Sequence, residues 1–170
     1  KEEICHTNNI IKYYEKQFNI LPRNMVCESP AFKNVLSTAF KVAKMDITVL
    51  IEGESGVGKD MVATYIQMNS ARANKPFIPV NCGSIPESLW ESEMFGYEDG
   101  SFTGAKKGGK QGIVELANKG TLFLDEIGSL SPAAQVKLLR FLENMEISKV
   151  GMSEIKKLDI RIIAASNNSL

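Results

Sequence analysis

A glycine-rich segment ending in lysine is the part of this sequence that most directly indicates chemistry. Residues Gly53-Glu54-Ser55-Gly56-Val57-Gly58-Lys59 fit the spacing G-x-x-x-x-G-K. They lie between a β-branched apolar run, 47–51, and a helix-like stretch, 59–68, which is the context that this motif requires. Glycines let the backbone N–H groups curl around phosphate oxygens, while the helix N-terminus and the lysine ammonium add positive charge. The pattern predicts a binding site for a nucleoside triphosphate.

The predicted nucleotide-binding residues extend into the first turn of the helix. They are Gly53, Glu54, Ser55, Gly56, Val57, Gly58, Lys59, Asp60 and Met61. Asp60 stands where the general motif has Ser or Thr, whose hydroxyl binds magnesium. Because carboxylate oxygens are ordinary Mg²⁺ ligands, Asp60 could engage the ion directly or through water. A nucleoside triphosphate and Mg²⁺ are therefore the expected cofactors, with Asp60 as one metal-binding residue.

A second chemical signal follows the apolar run 121–124, where Asp125 and Glu126 stand side by side. Open α/β sheets bind their ligands at the carboxyl ends of the strands. Beside a phosphate loop, this pair predicts that Asp125 holds the magnesium ion and that Glu126 is the general base for the attacking water. Without such a loop, the same pair would be interpreted as a solvated strand end.

Two asparagines also follow apolar runs. Asn167 comes shortly after the run 160–165 and could orient the attacking water or sense the γ-phosphate; taken alone, it would be a turn residue. Asn81 follows the run 77–80 and could hydrogen-bond Glu126 if their strands are neighbours. The predicted catalytic residues are Glu126, Asp125, Asn167 and Asn81.

The alternation of apolar runs and amphipathic segments indicates how these residues are positioned. Runs of strand length occupy 47–51, 77–80, 121–124 and 160–165, and helical patterns occupy 59–68, 85–95 and 131–145. A further helix is expected after Ser29-Pro30, with apolar residues at helical spacing as far as Ala43. Such alternation predicts an α/β fold with a mostly parallel sheet covered by helices on both faces.

The first 24 residues form a separate pattern. Apolar side chains at helical spacing run from Ile10 to Phe18 and stop at Leu21-Pro22, with no strand nearby to cover them. We therefore predict a linker helix over 1–24 and one compact domain over 25–170.

Glycines are concentrated in a single insertion, 96–112, which holds six of the thirteen in the chain. Because glycine loses much conformational entropy on ordering, we expect this loop to be loose, and loops on rigid scaffolds often carry function. Phe102 at its centre has little to pack on within the loop. A plain connector and a nucleic-acid clamp that uses Lys106, Lys107 and Lys110 are the alternatives.

Composition excludes several classes of protein. A chain of 170 residues with 44% hydrophobic residues is an ordinary globular domain, and 20 basic residues balanced by 20 acidic ones create no global field for nucleic acid or membrane. The apolar stretches are too short to span a bilayer, and the acidic start is unlike a secretory signal, so we expect a cytoplasmic protein. Cys5, Cys27 and Cys82 are widely spaced and predict neither a disulfide framework nor a metal site.

Together these motifs resemble the AAA+ domain of sigma-54-dependent transcriptional activators, the bacterial enhancer-binding proteins. The resemblance covers about residues 25–170 and rests on the phosphate loop 53–59, the segment 91–96, the loop 100–105 and the strand end 120–127. The loop Gly100-Ser101-Phe102-Thr103-Gly104-Ala105 is similar to the GAFTGA signature of the family, with Ser101 in place of the usual alanine. Asp60 replaces the usual glutamate of the family.

The resemblance implies an ATPase that acts as a ring, usually a hexamer. ATP binding and hydrolysis would raise the loop against sigma-54 RNA polymerase holoenzyme and drive promoter opening, with partner-binding residues Gly100, Ser101, Phe102, Thr103, Gly104 and Ala105. It further implies that Asn81 is the switch partner of Glu126 and that residues 146–158 form a second insertion supporting the first. DNA binding is expected only from a C-terminal domain beyond these residues.

The resemblance also predicts a P-loop NTPase core that is incomplete within these residues. The fifth core strand, the arginine finger and the helical lid would follow Leu170. Since an arginine finger is worth about 10³–10⁵ in rate, we expect residues 1–170 alone to hydrolyse ATP poorly. The competing interpretation is a nucleotide-gated binding module that does not hydrolyse ATP, supported by Asp60 and by the missing elements.

Overall fold

A parallel sheet of four strands organises residues 29–101, 107–151 and 154–167, which are the residues described by this computed structural model. The strands in chain order are β1 (Val49–Glu52), β2 (Phe77–Asn81), β3 (Gly96–Tyr97), β4 (Lys110–Gln111), β5 (Thr121–Asp125), β6 (Glu146–Ile147), β7 (Lys156–Lys157) and β8 (Arg161–Ser166). The helices are α1 (Pro30–Ala43), α2 (Lys59–Met68), α3 (Glu87–Phe95), α4 (Ile113–Leu116) and α5 (Pro132–Asn144). The main sheet has the order β1-β8-β5-β2.

The register of the main sheet brings its carboxyl ends to one edge. Asn81 pairs with Asp125, and Glu52 pairs with Ser166. Because all these strands are parallel, the segments that follow them emerge on the same side. The phosphate loop, the acidic pair and both asparagines therefore share one edge of the sheet.

Helices cover both faces of the sheet, as predicted. Alternate residues of β5 divide between two cores: Leu122 and Leu124 join one, and Phe123 joins the other. The first core also includes buried residues of α3, α4 and α5, whereas the second includes residues of α1 and α2. β2, β5 and β8 are buried on both faces and are therefore nearly continuous apolar runs, which is why the sequence identified them within one residue at each end. In the edge strand β1, every second residue is exposed.

The ends of the helices follow from local chemistry. Pro30 and Pro132 each stand in the first turn, where the missing N–H costs no hydrogen bond. Ser131 Oγ accepts from Ala134 N–H at 3.4 Å, whereas the side chain of Ser29 makes no capping bond. The buried guanidinium of Arg161 donates to the carbonyls at the end of α1, namely Ala43 O at 3.0 Å and Val42 O at 2.8 Å.

Two small ribbons form the base of the glycine-rich insertion. β3 pairs antiparallel with β4, and β6 pairs antiparallel with β7. Val150 joins the two ribbons, because its N–H donates to Gly96 O at 3.0 Å and its carbonyl accepts from Glu98 N–H at 3.2 Å. These contacts place Val150 against the base of the first insertion, which agrees with the supporting second insertion that the family resemblance implied.

The helix α3 leads into this ribbon from the sheet edge. It buries Trp90, the single tryptophan of the chain, at 3% exposure against Phe95, with ring centroids 5.6 Å apart. Gly96 ends the helix at φ +81°, and a Cβ there would lie 2.4 Å from Lys110 O. Only glycine fits this crossing of two backbones.

The observed bounds differ from the predictions at a few positions. β1 begins at Val49, two residues later than predicted, so that Ile47 lies outside the strand. α3 begins at Glu87 because Pro86 precedes it as its N-cap. The linker helix expected over 1–24, with the start of the domain at 25, lies outside the described residues and remains a prediction. Among the helices of the described part, none is long and apolar enough to cross a bilayer.

Candidate functional site

The phosphate loop leaves β1 and enters α2 through two glycines in the left-handed region. Gly56 has φ +80° and Gly58, the N-cap of α2, has φ +89°. Residues with a Cβ adopt these angles at a cost of about 1 kcal/mol or more, so the glycines permit the curl. The start of the loop is tied to the neighbouring strand, since Gly53 N–H donates to Ser166 O at 3.2 Å.

Lys59 lies inside the loop. Its side-chain Nζ donates to Gly53 O and to Glu54 O, each at 2.9 Å, and the residue is only 9% exposed. The ammonium is thus held at the first turn of α2, where a phosphate would meet both the lysine and the helix N-terminus. Asp60 follows in the same turn.

Asp125 and Glu126 follow β5 on the same edge. The pKa of Asp125 is raised, mainly because the carboxyl group is partly buried, and the negative charges of Glu126 and Asp60 raise it further. The hydrogen bond from Glu126 N–H and the positive charge of Lys59 act in the opposite direction. The Glu126 N–H donates to Asp125 Oδ1 at 2.9 Å. A partly buried carboxylate surrounded by other carboxylates is ready to accept a cation.

These residues line one open cleft of about 420 Å³. Its walls are Ser55, Gly56, Gly58, Lys59, Asp60, Met61, Asp125 and Glu126. The described residues contain no preformed cluster of three or more metal-binding side chains.

The predicted residues thus come together with a few differences. The structure places Ser55, Gly56, Gly58, Lys59, Asp60 and Met61 on the cleft, whereas Val57 is 53% exposed at the tip of the loop. Asn167 follows β8 and is exposed. Of the predicted partner-binding residues, Gly100 and Ser101 are described, and 102–105 lie outside the described residues.

Asn81 lies next to Glu126, because β2 and β5 are neighbours in the sheet. In this structure, however, the described residues show no hydrogen bond between the two side chains. Asn81 Oδ1 accepts from Ser84 N–H at 3.0 Å and caps the short turn 82–84.

Two residues that lie beside Glu126, Gly83 and Ser129, were not predicted from the sequence. A Cβ at Gly83 would lie 2.8 Å from Glu126 Oε2 and 3.2 Å from Ser129 Oγ. Ser129 Oγ donates to Glu126 O at 2.6 Å. The only signal in the sequence was a glycine and a serine near strand ends, which is too common to single out.

Cys82 begins the turn 82–84 after β2 but is not a candidate nucleophile. Burial raises the pKa of its thiol to about 12, and the charges of Asp125 and Glu126 act in the same direction. The thiol is therefore neutral near pH 7 and unreactive.

Curated relatives match nearly the whole chain. A "Signal-transduction and transcriptional-control protein" of Clostridium beijerinckii is 46% identical over 99% of this chain, and the regulatory protein AtoC of Escherichia coli is 46% identical over 100% of it. The chain spans only 27% and 36% of the lengths of these two relatives.

Solved structures of NtrX from Brucella abortus share the fold. The ADP complex has a TM-score of 0.78 at 30% identity, covering 98% of this chain and 36% of NtrX, and the ATP complex has 0.76 at 32%, covering 93% and 36%.

The family comparison agrees with the arrangement of loop, acidic strand end and insertion. Residues 25–170 match the family described as the "Sigma-54 interaction domain". The chain belongs to this family of sigma-54 interaction domains.

Proposed function

We propose that this domain binds ATP with Mg²⁺ and, within the longer protein, hydrolyses it to remodel sigma-54 RNA polymerase holoenzyme for promoter opening. One observation carries the catalytic part of the proposal. Lys59, Asp125 and Glu126 line the same cleft beside the phosphate loop. A cation for the phosphates, a carboxylate for the metal and a second carboxylate for water are the parts that NTP hydrolysis requires.

Two observations support nucleotide binding, one from the geometry of the loop and one from structures of similar fold. The backbone of the loop is curled by Gly56 and Gly58, with Lys59 held inside it. The NtrX chains with ADP and with ATP have the same fold. We therefore assign Gly53–Met61 to the nucleotide.

Each polar residue at the edge has a proposed role. Asp125, with Asp60 at the start of α2, would hold Mg²⁺, which would neutralise charge on the outer phosphates. Glu126 would accept a proton from the attacking water, and Asn167, exposed at the end of β8, would orient that water or sense the γ-phosphate. Asn81 would act on Glu126 as its switch partner.

The proposed partner surface is the insertion 96–112, with residues 100–105 as the contact. Its base is formed by α3 and by the ribbon β3–β4. In chain order α3 and β3 follow β2, whose carboxyl end lies at the cleft edge of the sheet. We propose that the full protein acts as a ring, usually a hexamer, and that any DNA contact belongs to another domain.

The decisive experiment replaces Glu126 with Gln in the full-length protein. We expect ATP turnover to fall by about 10²–10⁴, the usual contribution of a general base, while ATP affinity measured by isothermal titration stays within about twofold of the parent value. Glutamine keeps the size of the side chain and removes the proton acceptor.

Lys59→Ala is the matched control, because it should remove nucleotide binding itself. Equal low turnover in the parent protein and in Glu126→Gln would instead favour a nucleotide-gated module without hydrolysis. Unchanged affinity in Lys59→Ala would refute the assignment of the phosphate loop.

A further inference from the structure

The side chain of Met61 lies across Gly58, the glycine that caps α2. A Cβ added at Gly58 would be 2.6 Å from the terminal methyl carbon of Met61, Cε, and 4.0 Å from its Cβ and Cγ. The thioether therefore folds back onto the phosphate loop. Met61 also lines the open cleft of the candidate site, together with Lys59 and Asp60. An atom added to the sulfur of Met61 would thus lie at the cleft.

The groups that follow Gly58 in the same turn are suited to bind anionic oxygen. The first hydrogen bond of α2 runs from Val62 N–H to Gly58 O at 3.2 Å, and no side chain caps the helix. The N–H groups of Lys59, Asp60 and Met61 precede this bond, and such groups are the free donors at the start of any helix. The ammonium of Lys59 adds a positive charge. The sulfur of Met61 competes little for these groups, because a thioether is only a weak acceptor.

Oxidation would turn this weak acceptor into a strong one. With hydrogen peroxide as the oxidant, a lone pair of the sulfur forms a bond to one peroxide oxygen, the O–O bond breaks, and the other oxygen leaves as water after a proton shift. The sulfur loses two electrons and the peroxide gains them. The product, methionine sulfoxide, is polar, with partial negative charge on its oxygen. At position 61 that oxygen would compete with phosphate for the Lys59 ammonium and for the N–H groups of the first turn.

The methionines of the chain differ in their access to an oxidant. Met61 is half-buried, Met68 at the other end of α2 is 51% exposed, and Met94 in α3 is fully buried. Because oxidation follows exposure, peroxide should reach Met61 and Met68 but not Met94. Of these three residues, only Met61 lines the cleft. Met68 is therefore a matched control on the same helix.

We propose that Met61 is an oxidation site whose sulfoxide weakens nucleotide binding. The inference rests on the proposed binding of ATP at the phosphate loop. The sulfoxide acts in two ways, because its oxygen occupies donors that the phosphates need and its partial negative charge repels them. The reduced thioether leaves the same donors open to the nucleotide.

The test compares the full-length parent protein with Met61→Leu and Met68→Leu, each before and after treatment with hydrogen peroxide. Mass spectrometry of the peptides confirms conversion of Met61 to the sulfoxide, and isothermal titration then gives Kd for ATP with Mg²⁺. We expect Kd to rise about 10-fold or more on oxidation of the parent and of Met68→Leu, the fold-change for losing one hydrogen bond to a charged group. In Met61→Leu, which has no sulfur at this position, oxidation should leave Kd within about twofold of its own starting value.

Two further measurements address Met61 directly. Met61→Gln, which carries an amide oxygen near the position of the sulfoxide oxygen, should raise Kd for ATP without any oxidant, while the circular dichroism spectrum stays that of the parent. Bound nucleotide should also shield the site. In the parent protein, ATP with Mg²⁺ should slow the oxidation of Met61 and leave the oxidation rate of Met68 unchanged.

Three results would overturn the inference. Kd for ATP that is unchanged in a parent protein fully oxidised at Met61 would show that the sulfoxide does not reach the phosphates. An equal rise of Kd in Met61→Leu would assign the effect to another residue, and equal oxidation of Met61 with and without ATP would place its sulfur away from the nucleotide. A reduced parent that binds no ATP would refute the proposed function, and the inference with it, before any oxidant is added.

Discussion

Asp125 shows how a side chain of the candidate site can oppose folding. Burial raises its pKa from 3.8, so the folded protein holds the proton more tightly than the unfolded chain does. Stability therefore falls as the pH rises from about 3.8 through the raised value, and the charged carboxylate weakens the fold at neutral pH. A bound cation would reverse this effect by favouring the charged form.

Replacing Asp125 with Asn should therefore stabilise the chain at pH 7 in the absence of nucleotide. The asparagine Oδ1 can still accept from Glu126 N–H. Because the site is partly open to solvent, the rise in Tm should be smaller than the ~2–4 °C that 1 kcal/mol produces in a domain of this size. Thermal unfolding followed by circular dichroism measures it.

The same comparison at pH 3 is the control, because the carboxyl group is protonated in both states there and the gain should disappear. A lower Tm for Asp125→Asn than for the parent at pH 7 would contradict the expected direction of the effect. The variant should also lose Mg²⁺-dependent nucleotide affinity if Asp125 is the metal ligand.

At the scale of elements, Arg72 ties the segment after α2 to the segments that precede β1, β5 and β8. Its guanidinium donates to Asp46 Oδ2 at 2.8 Å, to Asp159 Oδ1 at 2.6 Å and to Gly120 O at 3.1 Å. The Arg72 side chain is 14% exposed, while the two carboxylates are 63% and 70% exposed. The arginine is therefore the costly partner to remove.

Arg72→Ala should lower the free energy of unfolding by about 2 kcal/mol, within the range for hydrogen bonds to charged groups. Urea denaturation at pH 7 measures the loss. Lys75→Ala, an exposed change three residues on, should cost less than about 0.5 kcal/mol.

The stabilisation by the contact between Arg72 and Asp46 should be lost at low pH. The hydrogen bond from Arg72 is the main cause that lowers the pKa of Asp46 below 3.8. The contribution of this contact to stability is thus complete above pH 3.8, the ordinary pKa of an aspartate. It is lost as the pH falls through the lowered pKa of Asp46. The difference between the parent and Asp46→Asn should be small, because the pair is exposed, and should vanish in strong acid.

Two adjacent glycines at the base of the insertion make a matched pair. Both have positive φ, +87° at Gly108 and +72° at Gly109, but a Cβ at Gly108 meets nothing within 4 Å, whereas one at Gly109 would lie 2.5 Å from Tyr97 O. Gly108→Ala should cost about 1 kcal/mol for the backbone angle alone. Gly109→Ala should cost about 1–3 kcal/mol more because the ribbon must open.

Hydrogen exchange locates the loss as well as measuring it. The Glu98 N–H, bonded to Val150 O, should exchange faster in Gly109→Ala and remain protected in Gly108→Ala. Equal effects of the two substitutions would show that the close approach to Tyr97 carries no energy.

The sequence predicted the elements with strong periodicity and missed those without it. The four main strands and α2 were identified because each is a continuous apolar or amphipathic run. The ribbons β3–β4 and β6–β7 have strands of only two residues, which show no period at all. Glu126 and Lys59 were found through motifs, but the place of Glu126 over Gly83 depends on sheet order, which spacing does not encode.

At the scale of the whole molecule, the proposed nucleotide cleft and the proposed contact loop 100–105 belong to different segments of the chain. Replacing Phe102 with Ala should therefore spare ATP turnover in the full-length protein within about twofold and abolish activation of sigma-54 polymerase. Turnover assays and open-complex formation at a sigma-54 promoter measure the two effects. Retained activation would refute Phe102 as the contact, and loss of both activities would show that the loop also acts on the cleft.

Trp90 gives the chain a built-in optical reporter. It is the single tryptophan, buried in α3 between the turn that holds Gly83 and the ribbon that carries the insertion. Its fluorescence emission should therefore lie at short wavelength in the folded chain and shift to the red on unfolding. Without any attached dye, a rearrangement of this helix when nucleotide is added would be visible as a change in one emission band.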